Sequence, residues 1–196
     1  MNLILNQWFT TPIWKTYLDI DVEPLITYLY KLKETDPGNV VSNRHGWQTS
    51  SLLGIPLAHE DLLYKINQTL VEVHKQMGLK SNTPSIVTSH WYNINFPGSY
   101  NLKHIHPHSV FSGVFYLQVP EKNSGDITFY RDNMFKSYLP HYIIDDWNVM
   151  TSEHVTYSPE KLMLLIFPSC IEHDVSENLT GQDRISFSFN TKTHYY

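Results

Sequence analysis

The segment KHIHPHS, residues 103–109, places three histidines at alternate positions: His104, His106 and His108. Side chains two apart on an extended strand point to one face, so this spacing gathers imidazoles on a single surface. Neutral imidazole is the commonest protein metal ligand and suits iron, zinc and copper. A solvated, His-rich turn is the competing reading, because an isolated H-x-H recurs by chance. Pro107 lacks the N–H that a strand ladder uses. The strand is therefore expected to end near His106, with His108 opening the loop. Further along come His173 in CIEHDVSEN and Arg184 in RISFSFN. The lone Cys170 allows no intrachain disulfide and fits a reducing compartment. It follows the apolar run LMLLIFPS, which predicts a buried, inert thiol rather than a nucleophile.

These residues need strands to carry them. The 196-residue chain is 41% hydrophobic and 17% charged, enough for one domain with a substantial core. Its 14% aromatic share favours strands. A net charge of −5 argues against a nucleic-acid-binding surface. The N-terminus MNLILNQWFTTPIW lacks the pattern of a signal peptide, and no window approaches the ~20 apolar residues of a membrane span. A cytoplasmic protein is expected, and a homo-oligomer is compatible with this composition.

Residues 8–19 read as an opening strand. Leu25, Ile26, Leu29 and Leu32 recur at helical spacing within 22–35, before the turn DPGN. In 59–78, Leu62, Leu63, Ile66, Leu70 and Val73 form a stripe, acids occupy the first turn and Gly78 ends the helix. His59 and His74 on this helix read as surface or packing residues. From residue 86 the texture changes to strands. Two helices ahead of a strand run predict an α+β, mainly β protein built on a sandwich or barrel. In RISFSFN, Ile185, Phe187 and Phe189 oppose Arg184, Ser186, Ser188 and Asn190; in GVFYLQV, Phe115, Leu117 and Val119 oppose Tyr116 and Gln118. The polar faces either meet water or line a cavity, and periodicity does not separate the two. Residues 131–158 are aromatic-rich and irregular, a lid, a substrate wall or plain packing.

In order, H-x-H, SGVFYL, His173 and Arg184-Ile185-Ser186 resemble the double-stranded β-helix (jelly-roll, cupin-like) 2-oxoglutarate/Fe(II) oxygenases. A branch with bacterial and phage members is more similar still. Its marks appear here as FTTPIW (9–14), GWQTS (46–50), NINFPGSY (93–100), HIHPHSVFSGVFYL (104–117) and RISFSFN (184–190). The resemblance spans nearly the whole chain. It implies one domain over 1–196, with helical support at about 20–80 and a β-helix core at about 86–192.

The resemblance further implies Fe(II), 2-oxoglutarate and O2 as cofactor and co-substrates, with succinate and CO2 released as a small molecule or protein side chain is hydroxylated. His104 matches the first iron ligand and His173 the distal one. His106 stands where most of the superfamily has the carboxylate of H-x-D, giving three neutral imidazoles, or two if it stands off. His108, paired with His106, is the alternative ligand set. Asp126 and Asp174 are weaker carboxylate candidates. A halogenase needs a small residue where His106 lies, so that reading is set aside. Arg184 matches the residue that pairs with the 2-oxoglutarate C5 carboxylate, a task suited to a guanidinium fork; Ser186 and Tyr116 match groups serving the same carboxylate. The rival readings are a cupin-like metalloenzyme without 2-oxoglutarate and a non-catalytic β-sandwich binding module.

Overall fold

The computed structural model describes residues 3–4, 10–52, 54–131, 141–145 and 147–193. Helix α1, Glu23–Lys33, buries Leu25, Ile26 and Leu29 on one face. Its first turn carries Glu23 and Pro24 and its last Lys31 and Lys33, which complement the helix dipole. Helix α2, Ala58–Gln76, buries Leu62, Ile66, Leu70 and Val73. Gly78 follows with φ +67, the left-handed conformation that closes helices. His59 and His74 are both buried, which settles them as packing residues.

The strands are β1 (Trp14–Tyr17), β2 (Asn43–Arg44), β3 (Trp47–Gln48), β4 (Ile86–Asn95), β5 (Tyr100–His104), β6 (Phe111–Gln118), β7 (Ile127–Tyr130), β8 (His154–Tyr157), β9 (Met163–Pro168), β10 (His173–Val175) and β11 (Arg184–Lys192). Among the described residues they form two antiparallel sheets, β1-β9-β6-β11-β4-β3 and β2-β5-β10-β7-β8. From β4 to β7, and again from β8 to β11, successive strands alternate between the sheets. That alternation is a jelly roll, the double-stranded β-helix. The opening strand is shorter than 8–19, and Trp8 and Phe9 of that stretch lie outside the described residues.

The larger sheet is covered on both faces. Leu25, Leu29, Leu62, Ile66 and Leu70 pack with Ile185, Phe187 and Phe189 on its outer side. Between the sheets, Val114, Leu165 and Phe167 meet Ile127 and Phe129. A strand buried on both faces loses alternation, which explains the continuous apolar run Met163–Phe167 in β9. Gly113 of β6 is obligatory at its crossing: a Cβ there would overlap the Phe189 ring and lie 2.7 Å from the Leu165 carbonyl oxygen. Cys170 is exposed, not buried. β9 stops at Pro168, and the thiol falls in the turn beyond it, where the apolar pattern no longer applies. No described helix is long and apolar enough to cross a membrane.

Of the irregular stretch 131–158, residues 132–140 and 146 lie outside the described residues. The remainder includes a 3-10 turn, His141–Ile143, and β8 at the edge of the smaller sheet.

Candidate metal centre

His104 ends β5 and His173 begins β10, and the two are register partners. Their ring centroids lie 4.3 Å apart. Between His173 and Val175 the register slips: Val175 pairs with Asn101, so β5 carries one extra residue. This bulge turns both His104 and Asn101 into the space between the sheets, as bulges beside active sites do. Among the described residues, one group of His, Cys, Asp or Glu side chains has the geometry to hold a metal: His104, His106 and His173, with ligand atoms all within 4.8 Å.

His106 does not reach this cluster by strand alternation. β5 ends at His104, two residues earlier than expected. The chain then turns, and the His106 amide donates to the Ser169 carbonyl at 2.9 Å, which fixes the turn. The Nε2 atoms of His106 and His173 lie 3.2 Å apart. His108 sits in the following turn with φ +63, exposed and outside the cluster.

The donor set fits a cation. The Nδ1 of His173 donates to the Ile171 carbonyl at 2.9 Å, and that of His104 to the Leu102 carbonyl at 2.6 Å. Each ring thereby keeps its Nε2 lone pair for the centre. This is the outer hydrogen bonding that orients metal-binding histidines. Burial first, and neighbouring histidines second, push His106 down to about 4 and His173 to about 3. His104 is also lowered by burial, with its hydrogen bond to Leu102 and Asp174 opposing. All three are neutral at pH 7, the state that binds metal.

No carboxylate joins them among the described residues. Asp174 points away and accepts from the Tyr130 hydroxyl at 2.7 Å. Asp126 acts electrostatically on Arg184 and Tyr116 instead.

The polar face of β11 lines a cavity with these histidines, not solvent. Strand register sets out the face of the sheet beneath it as rows, with Gln48 lying beyond the cavity's edge. Arg184 pairs with Asn95; Gln48, Asn93, Ser186 and Tyr116 form the next row across β3, β4, β11 and β6; Trp91, Ser188 and Val114 form the third. Arg184 is 2% exposed. Its Nη1 donates to the carbonyls of Ser124, at 2.8 Å, and Gly125. Its Nε is buried with no partner among the described residues. Burial lowers the Arg184 pKa, with Tyr116 and Asp126 opposing. Tyr116 is pushed up to about 12, by burial first, so its phenol stays protonated and able to donate. An unpaired guanidinium N–H, a phenol and the Ser186 hydroxyl at one end of a cavity form a site for a carboxylate.

Asn93 and Asn95 belong to this wall, and Gly125 braces Arg184 behind it, but none of the three emerged from the sequence as a site residue. The alternation of asparagines with Ile94 in YNINF was the signal for the first two. Gly125 had none: its φ of +94 and its closeness to Arg184 are tertiary facts.

A jelly-roll cavity that gathers three histidines and a buried arginine has the groups to take a cation and a carboxylate side by side. The family model described as "Putative 2OG-Fe(II) oxygenase" matches residues 89–190, and the chain belongs to that family. It is an oxygenase that uses Fe(II), 2-oxoglutarate and O2. Comparison with curated proteins finds no match.

Solved structures share the fold. A Pseudomonas putida prolyl-4-hydroxylase is 13% identical with TM-score 0.63, covering 93% of each chain. A Trichoplax adhaerens prolyl hydroxylase, in complex with a hypoxia inducible factor peptide fragment, is 13% identical with TM-score 0.62, covering 91% of this chain and 82% of that one. HygX from Streptomyces hygroscopicus, with nickel and 2-oxoglutarate bound, is 11% identical with TM-score 0.61, covering 95% and 85%.

Proposed function

We propose that His104, His106 and His173 hold Fe(II), and that Arg184, with Ser186 and Tyr116, holds the C5 carboxylate of 2-oxoglutarate. The reaction is hydroxylation of a C–H bond in a small molecule or a protein side chain: substrate C–H, O2 and 2-oxoglutarate give alcohol, succinate and CO2. When bound, iron supplies the activation of O2 that couples decarboxylation to attack on the substrate. The protein's own groups bind and orient. Arg184 and Tyr116 fix the far end of the co-substrate. Phe129, tilted, and Phe167, edge-on, pack around His173 with ring centroids at 5.8 and 4.8 Å and keep water from that side of the centre. We take residues 1–196 as one catalytic unit, with 20–80 as support for a core at 86–192, acting in the cytoplasm.

The observation carrying this reading is the buried Arg184, which has an orphaned Nε and shares a cavity with the three histidines. Anaerobic titration of the protein with Fe(II) and then 2-oxoglutarate tests it. A visible charge-transfer band that requires both components is expected, followed by succinate on admitting O2. Bound iron with no band would overturn the reading and leave a cupin-like metalloenzyme in front.

A further inference from the structure

A second concavity, a groove of about 470 Å³, meets the histidines from outside and shares Ser42, Trp91, His104 and His106 with the inner cavity. Its remaining wall carries the apolar Val41, Leu102, Ile105 and Pro107 together with Gln48, Lys103 and Asn190, whose Oδ1 already accepts from the Ser112 hydroxyl. Val41, Leu102 and Ile105 are large hydrophobics left 67%, 42% and 43% exposed. One buried polar side chain faces this groove: Gln48, 9% exposed, whose carboxamide makes no hydrogen bond among the described residues. Gln48 neighbours Asn93 across the β3–β4 ladder, and the Asn93 Oδ1 is buried without a donor.

Charge narrows what could occupy the groove. Among the described lining residues there is no carboxylate, and apart from the histidines the one ionisable group is Lys103. Its ammonium sits 3.2 Å from the centroid of the Tyr130 ring and is thereby engaged. A cation entering would meet no counter-charge, and an anion would have to draw Lys103 off the Tyr130 ring, whereas a neutral molecule gives up less hydration. A carboxamide presents an acceptor and two donors side by side, and its complement is another amide.

We propose that this groove is the substrate site and takes an uncharged, amide-bearing molecule with an apolar body, recognised through the Gln48 carboxamide. The apolar part lies on Val41, Leu102 and Ile105, and Trp91 forms the floor beside His106, with ring centroids 5.9 Å apart. The assignment rests on the inner cavity being the 2-oxoglutarate site, which leaves the groove as the open approach to the histidines.

Saturation-transfer NMR on the Zn(II)- and 2-oxoglutarate-loaded protein tests this with three probes of one apolar body: N-acetyl-leucinamide, leucinamide and N-acetyl-leucine. The neutral probe is expected to bind at least tenfold more tightly than the cationic or anionic one. Gln48→Leu should cost it about tenfold, and the isosteric Gln48→Glu should transfer the preference to the leucinamide cation. Equal binding of all three probes overturns the proposal. So does a Gln48→Leu protein that melts earlier yet keeps its affinity for the neutral probe, because Gln48 would then serve only Asn93. The 2-oxoglutarate resonances in the same tube report the inner site. If they show no transfer while the neutral probe does, the co-substrate reading fails and the groove stands.

Discussion

Arg184→Met is the sharpest probe of the co-substrate site. The Arg184 Nη1 spends both hydrogens on the Ser124 and Gly125 carbonyls. That leaves Nε–H and the Nη2 hydrogens, the side-on fork that matches a carboxylate. Hydrogen bonds to charged groups contribute about 1.5–3 kcal/mol each, so losing two should cost about 3–6 kcal/mol. That corresponds to a rise in the 2-oxoglutarate Kd of roughly 10²–10⁴-fold. Methionine keeps the volume of the stem, and relief from burying an unpaired guanidinium offsets the two carbonyls left without donors. The variant should therefore stay folded. The assay is the anaerobic charge-transfer titration, run in parallel with 2-oxobutyrate, which chelates through the same keto acid but has no distal carboxylate. Arg184→Met should weaken 2-oxoglutarate strongly and 2-oxobutyrate hardly at all. If both ligands lose equally, or 2-oxoglutarate binds within threefold of wild type, the assignment of Arg184 to the C5 carboxylate is wrong.

Three further outcomes are expected. In competition with a chromophoric chelator, His106→Ala should loosen Fe(II) by more than tenfold, His106→Asp should keep it because a carboxylate is also a ligand, and His108→Ala should change nothing; equal losses in His106→Ala and His108→Ala would reverse the choice of ligand. Gly125→Ala would place a Cβ 2.6 Å from the Arg184 Nη1 and against the Ser176 carbonyl at φ +94, so 2-oxoglutarate affinity should fall about tenfold with Fe(II) affinity unchanged, and calorimetric titration separates the two. Burial, and then His90, hold His59 down to about 4 from its ordinary 6.5. The stability this neutral ring contributes is complete above pH 6.5 and lost as pH falls toward 4, about 2 kcal/mol between pH 7 and 5. Urea midpoints of the metal-free protein should show that loss, and a His59→Gln protein with the same pH slope would refute the account.

Local chemistry was legible wherever a short pattern carries its own geometry. Both helices follow from apolar spacing, and the two faces of β11 follow from period-two alternation, with Ile185, Phe187 and Phe189 buried as read. His104, His106, His173 and Arg184 stood out by residue type, and the order of motifs around them resembled one family. The apolar run ahead of Cys170 misled, because burial propagates along a strand only as far as the strand lasts.

What the chain could not state by itself is what lies across from each residue. The polar face of β11 suits water or a cavity equally until a second sheet covers it. His106 joins the centre through a turn anchored on Ser169, 63 residues downstream, rather than through its own strand. Gln48, Asn93, Ser186 and Tyr116 are far apart in sequence and become one row only when four strands pair in register. Residue types and local periodicity, set by backbone geometry, were the sequence's own contribution. Which polar groups face each other, and which stay unpaired for a ligand, came from long-range strand pairing alone.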